Sequence, residues 1–121
     1  MGLTESDDEV VLLHNPRCSK SRAVLKILEE SGVAFRVRRY LERPLARTEL
    51  DDLRQRLGLR PGEWFRIGEA EARNAGLSAD SEDESLLDAM AAHPILVERP
   101  IVVRGEHARV GRPPDAVREL L

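Results

Sequence analysis

The sequence predicts an α/β domain: a mixed four-stranded sheet flanked by helices, with a helical insertion between a β-α-β half and a β-β-α half. Three patterns carry that prediction. A short apolar run is followed by a segment with helical spacing and then by a second extended segment, which implies a parallel strand pair with a right-handed crossover. The middle of the chain repeats apolar residues at helical spacing and stops at glycines and prolines. Near the C-terminus, two apolar runs flank a glycine, a hairpin signal, ahead of a proline-led segment.

Taken in order, "VVLL" (10–13) reads as a buried strand stopped by His14-Asn15-Pro16. From Ser19, "SKSRAVLKILEESG" places Val24, Leu25, Ile27, Leu28 and Ser31 at helical spacing before Gly32, which suits a left-handed cap. "AFRVRRYL" alternates Phe35, Val37 and Arg39 against charged partners, a second strand, and Pro44 closes the unit. In "TELDDLRQRLG", Leu50, Leu53 and Leu57 share a face, Thr48 and Asp51 form a candidate capping box, and Gly58 is the stop. "PGEWFRIGEAEARNAG" opens with a proline suited to a helix start, and "SEDESLLDAMAAHP" aligns Leu86, Leu87 and Met90 before Pro94. "PIVVRGEHARVG" is the hairpin around Gly105, and "PPDAVRELL" is a closing helix. This order of elements fits the thioredoxin-like layout.

A chain of 121 residues can bury one core but rarely two, so residues 10–121 are expected to form a single domain. Residues 1–9 are expected to be a flexible, solvated tail; "MGLTES" matches a short myristoylation pattern, but the acidic residues after it are the wrong sign for a basic second anchor. There is no apolar run of the roughly 18 residues needed to span a bilayer, so no membrane association is expected. A net charge of −3 gives no general attraction to nucleic acid, so any anion site must be local. One cysteine cannot form an internal disulfide, and no secretory leader is recognisable, which points to a free thiol in the reducing cytoplasm. The acidic run from Asp80 to Asp88 suits a solvated helix start and His93 a helix end; neither makes a metal site at zinc spacing, and no nucleotide-binding glycine pattern occurs.

The one sulfur, Cys18, falls between the first strand and the first helix. Unpaired N–H groups and the positive end of the helix dipole favour a thiolate there, and Pro16, Arg17, Ser19, Lys20 and Arg22 are poor neighbours for a buried core position. Cys18-Ser19-Lys20-Ser21 is a C-x-x-S arrangement, so a resolving thiol must come from another molecule, and Ser21 can at most donate a hydrogen bond to the thiolate. His14 is expected to supply positive charge nearby or to cap the strand end.

Together, "HNPRCSKSR", "YLERP", "HPILVERPIVV" and "GRPPDAV" resemble the glutaredoxin-coupled arsenate reductases of bacteria, a thioredoxin-fold family that also includes reductase-like proteins whose substrate is not settled. The resemblance runs from about Val10 to Leu121. It implies that Cys18 is the nucleophile, His14 its neighbouring histidine, and Arg66, Arg99 and Arg112 the oxyanion-binding arginines, with Arg60 close to Arg66 in the chain. Planar guanidinium forks bind tetrahedral oxyanions bidentately and stay charged, which suits that role. Asn15, Ser21 and Pro100 are expected to support the site, Arg99-Pro100 as the cis-proline that such folds place beside the cysteine. The implied activity is reduction of arsenate to arsenite, with no bound cofactor or metal, glutathione as co-substrate and glutaredoxin as partner. The rivals are an Spx-like regulator binding RNA polymerase, whose common C-x-x-C switch Ser21 excludes, and a reductase acting on another oxyanion.

Overall fold

The computed structural model describes residues 3–6 and 8–121. Its regular elements are β1 (Val10–Leu13), α1 (Ser19–Ser31), β2 (Arg36–Arg38), α2 (Arg47–Leu57), α3 (Ala70–Asn74), α4 (Asp83–Ala92), β3 (Ile101–Arg104) and β4 (His107–Val110). Short 3-10 turns at Pro61–Glu63 and Pro94–Leu96 and a longer one at Pro114–Leu120 complete them. The sheet order is β2-β1-β3-β4, with β1 parallel to β2 and antiparallel to β3, and β3 antiparallel to β4. This is the mixed four-stranded, thioredoxin-like arrangement, with α2 to α4 forming the insertion.

The two-residue period of β1 divides the core. Val10 and Leu12 join Val102 under α1 and the Pro114–Leu120 turn, while Val11 and Leu13 join Ile101 and Val103 under the insertion. With both faces covered, all four residues of β1 are buried, which is why they read as an unbroken apolar run. In α1, Val24, Ile27 and Leu28 face the sheet, and Gly32 ends the helix at φ 76°, a conformation glycine adopts without steric cost. No helix among the described residues is long and apolar enough to cross a membrane.

The structure corrects several expectations. β2 is a three-residue edge strand in which Val37 is exposed while Arg36 and Arg38 are half-buried, the reverse of the expected alternation. Ion pairs explain the inversion. Arg38 grips Glu49 of α2 through two bonds of 2.6 and 3.0 Å, and Arg36 Nη2 lies 2.8 Å from Glu9 Oε1. α2 starts at Arg47 with Ala46 as its cap, and Glu49 Oε1 accepts from the Ala46 N–H at 2.9 Å; Thr48 lies inside the helix and closes no box with Asp51. The segment 61–76 is not one helix. After the turn at Pro61–Glu63, Phe65 bridges Val97 antiparallel, the Arg66 N–H donates to Leu96 O (2.8 Å) and the Glu98 N–H to Trp64 O (3.0 Å) before α3 begins. Trp64 and Phe65 in this strand-like excursion are both buried in the larger core cluster.

The C-terminal segment is the expected closing helix, in 3-10 form, and the acidic start of α4 is not simply solvated: Arg47, Arg54 and Arg60 pair with Asp83, Glu84 and Asp88, tying α2 to α4. The leader departs from a solvated tail at Leu3, whose side chain is buried in the larger core cluster and whose carbonyl accepts from Arg36 Nη2 at 3.2 Å. Met1, Gly2 and Asp7 of that leader, and with them part of the myristoylation pattern, lie outside the described residues.

Candidate active site

Cys18 is the N-cap residue of α1, in extended conformation, at the carboxyl end of the parallel β1–β2 pair. The loop that brings it there is set by Asn15, whose side-chain oxygen accepts the Arg17 N–H (3.0 Å) and whose carbonyl accepts the Cys18 N–H (3.0 Å). The last bond of the β1–β2 ladder runs from the His14 N–H to Arg38 O at 2.9 Å, so the loop departs directly from the sheet. Burial is the largest single influence on the thiol and pushes its pKa up. The N–H groups of Ser21 and Lys20 and the charge of Arg99 together outweigh it, so the net shift is below the ordinary thiol value. The thiol is free and half-buried, and is therefore reachable.

His14 and Ser21 are bonded to each other. His14 is buried, and its pKa is lowered by that burial and then by Arg39 and Arg22, which favours the neutral imidazole over the charged one. Its Nδ1 lies 2.6 Å from Ser21 Oγ, which also accepts the Asn15 N–H at 3.1 Å. The Ser21 hydroxyl is thus committed to the loop, and it is the Ser21 backbone N–H that favours the thiolate. The His14 ring is tied to the loop through Ser21.

The three arginines converge. Arg112 Nη2 lies 3.7 Å from Cys18 Sγ, and its Nε–H donates to Arg99 O at 2.7 Å. The Arg99-Pro100 bond is cis, as is Arg112-Pro113, and the Gly111 N–H donates to Pro100 O at 2.8 Å, so the segments carrying Arg99 and Arg112 are bonded side by side. Arg66 joins them through Glu98. The Glu98 Oε1 atom accepts from Arg66 Nη1 (2.7 Å) and the Arg99 backbone N–H (3.2 Å) and lies 3.1 Å from Arg112 Nε. Arg60 is elsewhere, paired with Asp83. Arg66 Nε, Arg99 Nε and Arg99 Nη1 are buried with no partner, so donors of two of the three guanidinium groups remain unused.

The ArsC family model matches residues 13–120 of this chain. The chain belongs to the ArsC family. An arsenate reductase of Neisseria meningitidis serogroup A is 42% identical over 115 residues, spanning 93% of this chain and 98% of that protein. The uncharacterized protein YfgD of Escherichia coli is 44% identical over 115 residues, spanning 93% of this chain and 97% of that protein. Among solved structures, the arsenate reductase from Vibrio cholerae superposes with a TM-score of 0.88 at 44% identity, covering 96% of this chain and all of the other. Family membership brings with it an oxidoreductase chemistry based on a single cysteine.

Two residues of this ArsC-family site were not singled out from the sequence. Glu98 stands next to Arg99, where an acidic neighbour reads as an ordinary surface pair, and only the fold brings Arg66 and Arg112 to the same carboxylate oxygen. Tyr40, in "YLERP", reads as the end of a strand; the structure buries its ring and leaves its hydroxyl without a partner. Arg99, Arg66, Cys18 and Glu98 all act on that hydroxyl, after the dominant effect of burial, which pushes its pKa up to about 12.

Proposed function

We propose that the protein is a cytoplasmic, thiol-dependent arsenate reductase in which Cys18 attacks arsenate held by Arg66, Arg99 and Arg112, with glutathione and glutaredoxin supplying the electrons. One observation carries the reading: a lone thiol with a lowered pKa lies 3.7 Å from Arg112 Nη2, which Glu98 and the Arg99 carbonyl join to Arg66 and Arg99, whose buried Nε donors have no protein partner. A thiolate and an arsenate repel each other, and fixed positive charge that cannot be titrated away is what lets them meet. Glu98 holds Arg66 Nη1 and Arg112 Nε, and Glu69 lies 3.5 Å from Arg66 Nη2, so two carboxylates orient two of the three guanidinium groups without neutralising the set.

The steps balance with one protein sulfur. The Cys18 thiolate attacks arsenic, an S–As bond forms, and one arsenate oxygen leaves as water. A glutathione thiolate then attacks Cys18 sulfur: an S–S bond forms, the S–As bond breaks, and its electron pair stays on arsenic, which departs as arsenite. Glutaredoxin attacks the glutathione sulfur and returns Cys18 to the thiolate. Two thiols are oxidised to one disulfide, arsenate is reduced by two electrons, and one water is released. A cavity of ≈ 280 Å³ lined by His14, Asn15, Pro16, Arg17, Arg39, Leu41 and Glu42 flanks the loop that leads to Cys18.

The test is arsenite formation with glutathione and glutaredoxin, with intact-mass analysis during turnover. Turnover should require both thiol sources, Cys18→Ser should abolish it, and glutathione should be found attached at Cys18. Activity that persists in Cys18→Ser, or that thioredoxin alone supports without a small thiol, would exclude the reading.

A further inference from the structure

Tyr40 is the only tyrosine in the chain, 1% exposed, and its hydroxyl has no hydrogen-bond partner. Buried polar atoms are nearly always paired, because an unpaired one forfeits its hydration for nothing. The residue lies just beyond β2, whose last carbonyl accepts the His14 N–H, so its ring enters the core beside the loop that ends at Cys18. Its packing cluster includes Leu13, Trp64, Phe65, Leu96, Val97 and Ile101, the residues on which the Arg66, Glu98 and Arg99 backbone is carried. Arg66 Nε, Arg99 Nε and Arg99 Nη1 are buried and unpartnered in the same way. All of these can donate, and the three arginine atoms cannot accept. A ligand that satisfies them together must offer several acceptor oxygens from one compact centre, which is the chemistry of a tetrahedral oxyanion.

We propose that the Tyr40 hydroxyl is a further substrate-contact group, donating a hydrogen bond to the oxyanion that the arginines hold opposite Cys18. This rests on the reading given under Proposed function and adds to it a neutral donor among cationic ones. The phenol keeps its proton at every working pH, since burial raises its pKa to about 12, so it donates and never competes as an anion. It contributes direction without charge: the bond strengthens as negative charge gathers on the oxygen that leaves arsenic.

Tyr40→Phe removes one oxygen and keeps the ring. Because that oxygen has no partner in the free protein, the variant should melt at the wild-type temperature or above it without arsenate, whereas a structural hydroxyl would lower the melting point. Its kcat/KM for arsenate should fall about tenfold or more, while the pH midpoint of Cys18 alkylation stays within error of wild type. A readout independent of turnover uses Cys18→Ser protein carrying isotope-labelled tyrosine: arsenate should shift the one ring signal in the magnetic resonance spectrum. Unchanged kcat/KM in Tyr40→Phe with a fully active wild type, or a lowered melting point without arsenate, would overturn the role of Tyr40 alone. A wild-type protein that neither binds nor reduces arsenate would overturn both this role and the reading beneath it.

Discussion

Arg112 Nη2 stands 3.7 Å from Cys18 Sγ although 94 residues separate them in the chain. The contact exists because β3 lies between β1 and β4 in the sheet, so the end of β1, which leads to Cys18, and the end of β4, which leads to Arg112, meet at one edge of the cis Arg99-Pro100 segment. Three distant pieces of sequence thereby meet around one thiol.

The first test is thiol reactivity. Alkylation of native Cys18 should show a pH midpoint below the ordinary thiol value of about 8.5, and Arg99→Gln should move it upward, because the Arg99 charge is one of the groups that lower it. His14→Gln should leave it nearly in place, since a neutral imidazole adds no charge. A larger shift in His14→Gln than in Arg99→Gln would make His14 the source of positive charge.

Arg99→Lys keeps the charge but loses the planar fork, whose Nε and Nη1 donors are buried and unused in the free protein. Oxyanion affinity, measured by calorimetry with arsenate or sulfate, should fall about tenfold or more while the circular-dichroism spectrum is retained. An unchanged affinity with an altered melting temperature would make Arg99 structural.

Stability should depend on pH through His14, and the sign follows from its lowered pKa. Above its unfolded value of 6.5, both states are neutral and nothing is gained or lost. Below it, the unfolded chain takes the proton first, so stability falls as pH drops from 6.5 toward the lower folded value, by at most about 1.4 kcal/mol per pH unit. Chemical denaturation between pH 7 and 5 should show that loss in wild type and a smaller one in His14→Asn.

Gly111 should tolerate no side chain. A Cβ there would come within 2.7 Å of Val24 Cγ2 and 2.8 Å of Pro100 Cγ, both in the packed interior beside the site. Gly111→Ala should cost about 1–3 kcal/mol of stability and lower arsenate turnover, because Arg112 is the next residue. A variant with wild-type melting temperature would mean that the loop relaxes freely.

Local chemistry made much of the molecule legible in the sequence. β1, α1 with its Gly32 cap, the hairpin about Gly105 and the placement of Cys18 at a helix N-terminus all follow from short-range periodicity and turn residues, which act over a few positions and need no tertiary partner. The ArsC-family motifs likewise brought Arg99 and Arg112 to attention as a pair. Only the tertiary structure decided the rest. Trp64 and Phe65 leave the expected helix because backbone bonds to Leu96 and Glu98 pair that segment with a strand-like neighbour far along the chain. Val37 faces outward because Arg36 and Arg38 find carboxylates in the leader and α2. Whether His14 carries charge depends on its burial and on Arg39 and Arg22 beside it, and which partner Glu98 takes depends on where three guanidinium groups end up. Desolvation and pairing are properties of a three-dimensional neighbourhood, and residue order alone does not contain them.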